Sequence, residues 1–298
     1  MGDVLDTGSA LVIIYADTEV ATYVYRPDAP ATEAPKPYLH PLRTLTGGPV
    51  TNYRPHDHRW HKGLQMTWSH VSGQNFWGGP TFEADAPGNG YVWRDNLGRI
   101  EHLDFDEVAV AGDEVEVAER LAWITATGER WAEESRLMGF VGRESGWALD
   151  FSTTLTNCSA KALDFGSPTT QGRPAAGYTG LFWRGPRAWT DGRIVGADGI
   201  DGDAIMGRVA DWVAYAGEHD GLDGGATVLF YAGTSSAAPP IRWFARSSQF
   251  AALAPSPSYD EEFTLAPADT LHLKHRFVVV DGVLDRPAIE ALAEEWRP

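Results

Sequence analysis

Val115–Thr125 (VEVAERLAWIT), Arg130–Val141 (RWAEESRLMGFV) and Trp147–Asn157 (WALDFSTTLTN) follow one another almost without pause. Apolar and polar residues alternate along them with the period of two that sends successive side chains to opposite faces of a strand. The turns between them, Ala126-Thr127-Gly128 and Arg143-Glu144-Ser145-Gly146, are short enough to close hairpins, so these runs predict neighbouring antiparallel strands. Outward from this core, Leu11–Tyr15 and Val20–Tyr25 read as a further hairpin, and Gly63–His70 and Ile100–Val110 read as strands. Beyond Pro168 the loops lengthen, and strands return at Tyr178–Arg184, Asp211–Tyr215, Ala226–Tyr231, Ile241–Arg246 and Leu271–Val280. One helix is expected: Asp285 can cap Arg286-Pro287-Ala288-Ile289, with Ile289, Leu292 and Trp296 on one face. A dozen or more strands and one short C-terminal helix predict an all-β fold, a large antiparallel β-sandwich. No long internal repeat suggests a propeller or solenoid.

The Pro-rich stretch Arg26–Tyr38 comes too early to divide two halves, and the small-residue run Gly233–Pro240 sits among strands, so residues 1–298 read as a single domain with long loops. Twelve tryptophans can fill a core and also line a cleft with indole faces, as carbohydrate clefts often require. A net charge of -17 offers no basic footprint for nucleic acid or an anionic membrane. Cys158 is the only cysteine, so no disulfide forms within the chain. The apolar run Ala10–Ala16 reads as a strand rather than a signal peptide, and no stretch approaches the roughly 20 apolar residues that span a bilayer. The expected compartment is the cytoplasm. A homodimer through an exposed strand edge is the expected protein partner.

Three of the nine histidines, His56, His58 and His61, lie within six residues, beside Arg54, Asp57 and Trp60. Imidazole changes charge near neutral pH and also binds metals. Pro55 favours a loop that enters the following strand and can turn all three rings toward one cavity. Proton transfer needs an acid and a base there, and Glu134, inside the second hairpin strand, is the candidate opposing carboxylate. Asp150 is a second polar candidate, sharing a strand face with Ala148 and Ser152. Arg43 and Arg184, set among aromatics and prolines, suit a carbonyl oxygen, a diol or a carboxylate, and His40 accompanies Arg43. No cofactor is expected; the alternative is a divalent metal at the histidine cluster, although the spacing matches neither a HExxH helix nor a zinc finger. Asp191–Asp203 lacks the order of a calcium loop, and no Walker loop, dinucleotide fingerprint or nucleophile elbow is present.

Pro37-Tyr38-Leu39-His40-Pro41-Leu42-Arg43, Arg54-Pro55-His56-Asp57-His58-Arg59-Trp60-His61-Lys62-Gly63-Leu64 and Asn75-Phe76-Trp77-Gly78 resemble a bacterial family of unassigned function whose members are labelled PmoA-like. The likeness extends to Arg208 with Asp211–Gly217 and to His275-Arg276-Phe277 with Asp281-Gly282. The label points to a membrane oxygenase, which a chain without a spanning segment contradicts. The resemblance implies instead a β-sandwich similar to the galactose mutarotase supersandwich, in a family that accompanies sugar-oxidising and sugar-degrading enzymes. It assigns no catalytic residue. The functional expectation is a carbohydrate-active enzyme that epimerises a sugar or eliminates an aglycone from a 3-keto-glycoside by histidine proton transfer. His56, His58, His61 and Glu134 are its catalytic candidates; His40, Arg43, Arg54, Trp60, Asp150 and Arg184 are its binding candidates. The alternatives are a non-catalytic sugar-binding module and a metal-dependent hydrolase or oxygenase.

Overall fold

The computed structural model describes residues 1–298. One eight-stranded sheet runs, in spatial order, β1 (Gly2–Asp6), β2 (Ala10–Tyr15), β3 (Thr18–Val24), β4 (Tyr38–Leu42), β5 (Leu64–Thr67), β14 (Gly180–Arg184), β19 (Ala252–Ser256) and β18 (Arg242–Arg246). A second runs β15 (Arg193–Gly196), β16 (Trp212–Glu218), β17 (Gly225–Ser235), β21 (Thr270–Asp281), β12 (Gly146–Asn157), β11 (Arg130–Arg143), β10 (Glu114–Ile124) and β9 (Arg99–Ala111). Smaller sheets join β6 (His70–Val71), β13 (Leu163–Gly166) and β20 (Phe263–Leu265), and β7 (Thr81–Phe82) with β8 (Tyr91–Val92). The strand pairs of both large sheets are antiparallel, and the fold is the expected all-β sandwich.

The three strands that predicted this architecture pair in sequence. Val117 lies opposite Met138 and Arg143 opposite Gly146, so the second turn is tighter than its four-residue reading. Inward side chains of both sheets build one core of 52 buried residues, among them Trp68, Trp123, Trp147, Trp183, Trp189 and Trp243. Burial of this much apolar surface is what drives two flat elements together. Within it lies a polar cluster: Glu134 accepts from Trp123 Nε1 (2.8 Å), Arg136 Nε (2.8 Å) and Thr153 Oγ1 (2.9 Å), while Arg136 Nη1 donates to Tyr23 Oη (2.8 Å). Tyr23 in turn donates to Glu119, which also holds His102 Nδ1 at 2.6 Å.

Asp285 caps helix α1 (Arg286–Glu295), its Oδ1 accepting from the Ala288 N–H at 3.0 Å. Ile289, Leu292 and Trp296 are buried against Val278, Leu229 and Tyr231, on the sheet face opposite the main core. Three local expectations change. The strand expected over Gly63–His70 divides into β5 and β6, which pair with different sheets. Tyr38–Leu42, which its prolines had hidden, is a strand of the first sheet. Gly2–Asp6 adds an outer strand to the first hairpin. At the opposite sheet's end, β9 has only β10 as a neighbour and exposes Glu101, Asp104, Asp106 and Glu107. Arg120 reaches across to Asp104 (3.2 Å) and Asp106 (2.8 Å). No helix is long and apolar enough to cross a membrane.

Candidate active site

The histidine loop connects β4 to β5. His58 N–H donates to the Pro55 carbonyl, His61 N–H to the His58 carbonyl and Arg54 N–H to the His61 carbonyl, each at 2.9 Å. These successive turns put His58 and His61 on the same side, with ring centroids 4.8 Å apart and planes 28° from parallel. His56, a central residue of the first turn, points away from them and is exposed, 3.5 Å from Arg187 Nη2.

The base of the loop is fixed by charge. Glu33 is buried and takes Arg54 Nε on Oε2 (2.9 Å) and Nη2 on Oε1 (2.5 Å), and Lys62 Nζ stands 2.7 Å from Oε2. A buried carboxylate requires such counterions. Although burial opposes it, Arg54 and Lys62 hold the Glu33 carboxyl below its ordinary range. Lys36, also buried, donates to the carbonyls of Glu33 (3.1 Å), Ala34 (2.7 Å) and Trp77 (3.0 Å). Trp60 lies flat on Gly79, where a β-carbon would come within 2.6 Å of its ring and where φ is +70°.

His58, Trp60, His61, Trp77, Phe182 and Phe250 wall a cavity of about 290 Å³, near the lower end of small-molecule sites. Arg184, buried at the end of β14, donates from Nη1 to His61 Nδ1 at 3.3 Å and lies 3.7 Å from the Phe250 ring centroid. Adjacency of β5 and β14 in the sheet makes this contact between residues far apart in sequence.

The charges here favour neutral imidazoles. Burial pushes His61 well below its ordinary pKa, and His58, Arg184, Lys36 and Arg246 add to the effect. Burial also lowers His58, partly offset by Asp57, whose Oδ2 is 3.2 Å from His58 Nδ1. Burial works against ionisation of Asp57, yet its own backbone N–H, His58 and Arg187 bring the carboxyl down to about 2. Burial drives the Arg184 guanidinium down to about 10, so it is still charged at neutral pH.

Of the expected site residues, the structure brings together His58, His61, Trp60 and Arg184. The others serve elsewhere. Glu134 does not line the cavity: its strand face points into the sandwich core, where Arg136, Trp123 and Thr153 satisfy it. Asp150 is bound by Arg276 (2.6 and 2.7 Å), on the opposite face near α1. Arg54 is committed to Glu33. Arg43 donates to the Gly47 carbonyl at 3.2 Å, closing a turn, and its own carbonyl accepts from Trp147 Nε1 at 2.7 Å. His40 shares a hydrogen with Thr51 Oγ1 (2.9 Å), stacks on Tyr53, and is pushed down to about 4 by burial and by Arg43. No group of three or more His, Cys, Asp and Glu side chains is placed to hold a metal ion.

Sequence reading missed Arg173, Arg246 and Phe250, which also line the cavity. The one local signal lay in Arg242-Trp243-Phe244-Ala245-Arg246, whose alternation puts Phe244 and Arg246 on the same side.

No curated protein matches the chain. Solved structures similar to it include a GH36 α-galactosidase from Geobacillus stearothermophilus, at 13% identity and a TM-score of 0.39 over 95% of this chain and 41% of that one. They also include a putative aldose 1-epimerase from Escherichia coli K12 (10%, 0.40, over 95% of this chain and 99% of that one) and a galactose 1-epimerase from Lactobacillus acidophilus (7%, 0.41, over 95% and 99%). The chain spans about two fifths of the length of the α-galactosidases it matches. At these scores the likeness has no bearing on the chemistry of the cavity. Residues 10–294 match a family whose description carries no PmoA designation, and the chain belongs to that family of unknown function, DUF6807.

Proposed function

We propose that the cavity is the active site of a carbohydrate-active enzyme, which moves a proton on a sugar or 3-keto-glycoside and so epimerises it or eliminates an aglycone. The observation that carries this reading is the pairing of two stacked imidazoles with opposite partners. Asp57, ionised, can only accept, so the adjoining His58 Nδ1 bears the proton and Nε2 is left with a lone pair. Arg184 can only donate, so His61 Nδ1 accepts and Nε2 bears the proton. One ring is thus a base and its neighbour a neutral hydrogen-bond donor.

With a carbonyl sugar, His58 Nε2 takes the proton from the carbon next to the carbonyl, and the electron pair of that C–H bond moves to the oxygen as an enolate. His61 Nε2–H donates to that oxygen, backed by the Arg184 charge. A proton delivered to the other face from solvent water epimerises the carbon, and His58 releases the abstracted proton to solvent. Expulsion of a β-oxygen with the same electron pair releases the aglycone, which collects a proton on leaving. Aromatic walls suit the apolar faces of a sugar ring. The surrounding guanidiniums, Arg184 and Arg246, weigh against the metal alternative.

The test is deuterium exchange from heavy water into a panel of reducing and 3-keto sugars, followed by NMR. Exchange in the native protein, reduced on the order of 10² to 10⁴ in His58→Ala and in His61→Ala, is the expected result. Sugar binding without exchange would replace catalysis with the binding-module reading.

A further inference from the structure

The cavity is cationic in an acidic protein. With 41 acidic residues against 24 basic ones, carboxylates are abundant, and Arg94, Arg120, Arg242, Arg276 and Arg286 each have one as a partner. The cavity lining contains Arg173, Arg246 and two histidines but neither Asp nor Glu. Carboxylates that act on this region are otherwise engaged. Asp203 accepts from Ser247 N and Oγ (2.8 Å each) and Ser248 Oγ (3.2 Å), and Asp57 is held by His58 and Arg187.

Both lining guanidiniums are positioned, with donors to spare. Arg173 Nη1 donates to Tyr91 Oη at 2.5 Å, and Tyr91 shares a hydrogen with Tyr178 Oη at 2.8 Å. Arg246 Nη1 donates to Gln249 Oε1 at 3.1 Å, with the Phe244 and Phe250 ring centroids 5.1 and 5.3 Å from its guanidinium carbon. A guanidinium carries five N–H donors, so most of each fork is left for a ligand. Burial and then the charge of Arg173 lower the Arg246 pKa, and Tyr178, Asp203 and Tyr91 offset this only in part. Behind them, buried Arg184 has no hydrogen-bond partner for Nε.

A neutral sugar offers hydroxyls that both donate and accept, and a site made for it supplies acceptors as well as donors. Here donors dominate and the formal charge is positive. We propose that the ligand of this cavity is an anionic sugar, its carboxylate or phosphate held by Arg173 and Arg246 and its ring against the aromatic walls. The proposal rests on the carbohydrate reading above and adds the charge of the substrate. A planar fork matches such an oxyanion through paired N–H donors, and Arg184 and the histidines extend the favourable potential toward the ring.

Titration calorimetry with matched triplets tests it: galacturonate, galactose 6-phosphate and galactose, and the corresponding glucose and mannose series. At least one anion is expected to bind about tenfold or more tighter than its neutral parent, the scale of a charge-assisted contact. Arg246→Gln should remove most of that preference and leave the neutral parent little changed, with Arg246→Lys intermediate. Preference for the carboxylate or for the phosphate member identifies the oxyanion. A native far-UV spectrum and a cooperative urea transition near the native midpoint establish that each variant is folded; if Arg246→Gln does not fold, Arg173→Gln is read in its place. Equal affinity for anion and parent, equal loss for both in the folded variant, or no binding of any anion overturns the proposal. Equal affinity with deuterium exchange intact leaves proton transfer standing, whereas anion preference without exchange leaves this proposal standing and removes proton transfer.

Discussion

Gly63 closes the histidine loop against β4, and Gly63→Ala isolates how much that closure contributes. Its φ of +62° places it in the left-handed region, where a residue with a β-carbon loses about 1 to 2 kcal/mol. The added carbon would also stand 2.1 Å from the Leu39 carbonyl oxygen and 2.9 Å from His40 Cβ. Ordinary contact begins near 3.4 Å, so the loop must retreat by about 1.3 Å (3.4 − 2.1) from a strand whose backbone is fixed by the sheet. That movement stretches two hydrogen bonds, Gly63 N–H to the Asn52 carbonyl and Arg184 N–H to the Gly63 carbonyl, both 2.8 Å. At a net of about 1 kcal/mol each, the total loss is about 3 to 4 kcal/mol. Gly47→Ala is the control: its φ is +90° and nothing lies within 4 Å of the new carbon, so only the conformational loss applies. Urea denaturation of the two variants should differ by about 2 kcal/mol, and the His61 resonances should move in Gly63→Ala alone. Equal destabilisation would refute the steric part of the reasoning.

Two further predictions follow from buried charge. Glu33→Gln leaves Lys62, 1% exposed, without its carboxylate, and should lower the unfolding free energy by about 3 kcal/mol or more; a denaturation midpoint within error of the native one would contradict the role given to Glu33. Burial holds His275, 4% exposed, at about 4 in the folded protein against an ordinary 6.5. Because the unfolded chain binds the proton more readily, stability from this group is complete above about pH 6.5 and is lost as pH falls toward 4. At about 1.4 kcal/mol for each pH unit between 6.5 and 4, the loss comes to about 3.5 kcal/mol. His40, also held at about 4, steepens the same limb. Unfolding free energies measured from pH 7 down to 4 should fall, less steeply in His275→Gln, and a flat profile would disprove the account.

The hairpins from Glu114 to Asn157 were legible because strict alternation and short turns act locally, and local rules need no knowledge of partners. Tyr38–Leu42 was not, since Pro37 and Pro41 withhold N–H groups and so argue against a strand, yet here neighbouring strands supply the remaining bonds. The same alternation that revealed β11 misled the reading of Glu134. It places Glu134 and Arg136 inward, but an inward position means core or cavity equally, and only the cross-sheet partner Tyr23 decides. His58 and His61 were found by density alone. His56 was lost because consecutive turns, rather than an extended chain, set the directions of the rings. Arg173 and Arg246 had no comparable density, and their nearness to the histidines depends on the order β5, β14, β19, β18, a long-range pairing that no short window contains.

The exposed acids of β9 bear on how copies of this protein meet. An unpaired strand edge offers its peptide groups as a template to any similar edge, and charge along it is the usual deterrent. Two β9 strands laid side by side would oppose Glu101, Asp104, Asp106 and Glu107 with their own kind, while each Arg120 is already occupied within its own sheet. Mutual repulsion along this flank therefore works against edge-to-edge pairing of two β9 strands, so a contact between copies is expected to form through another surface.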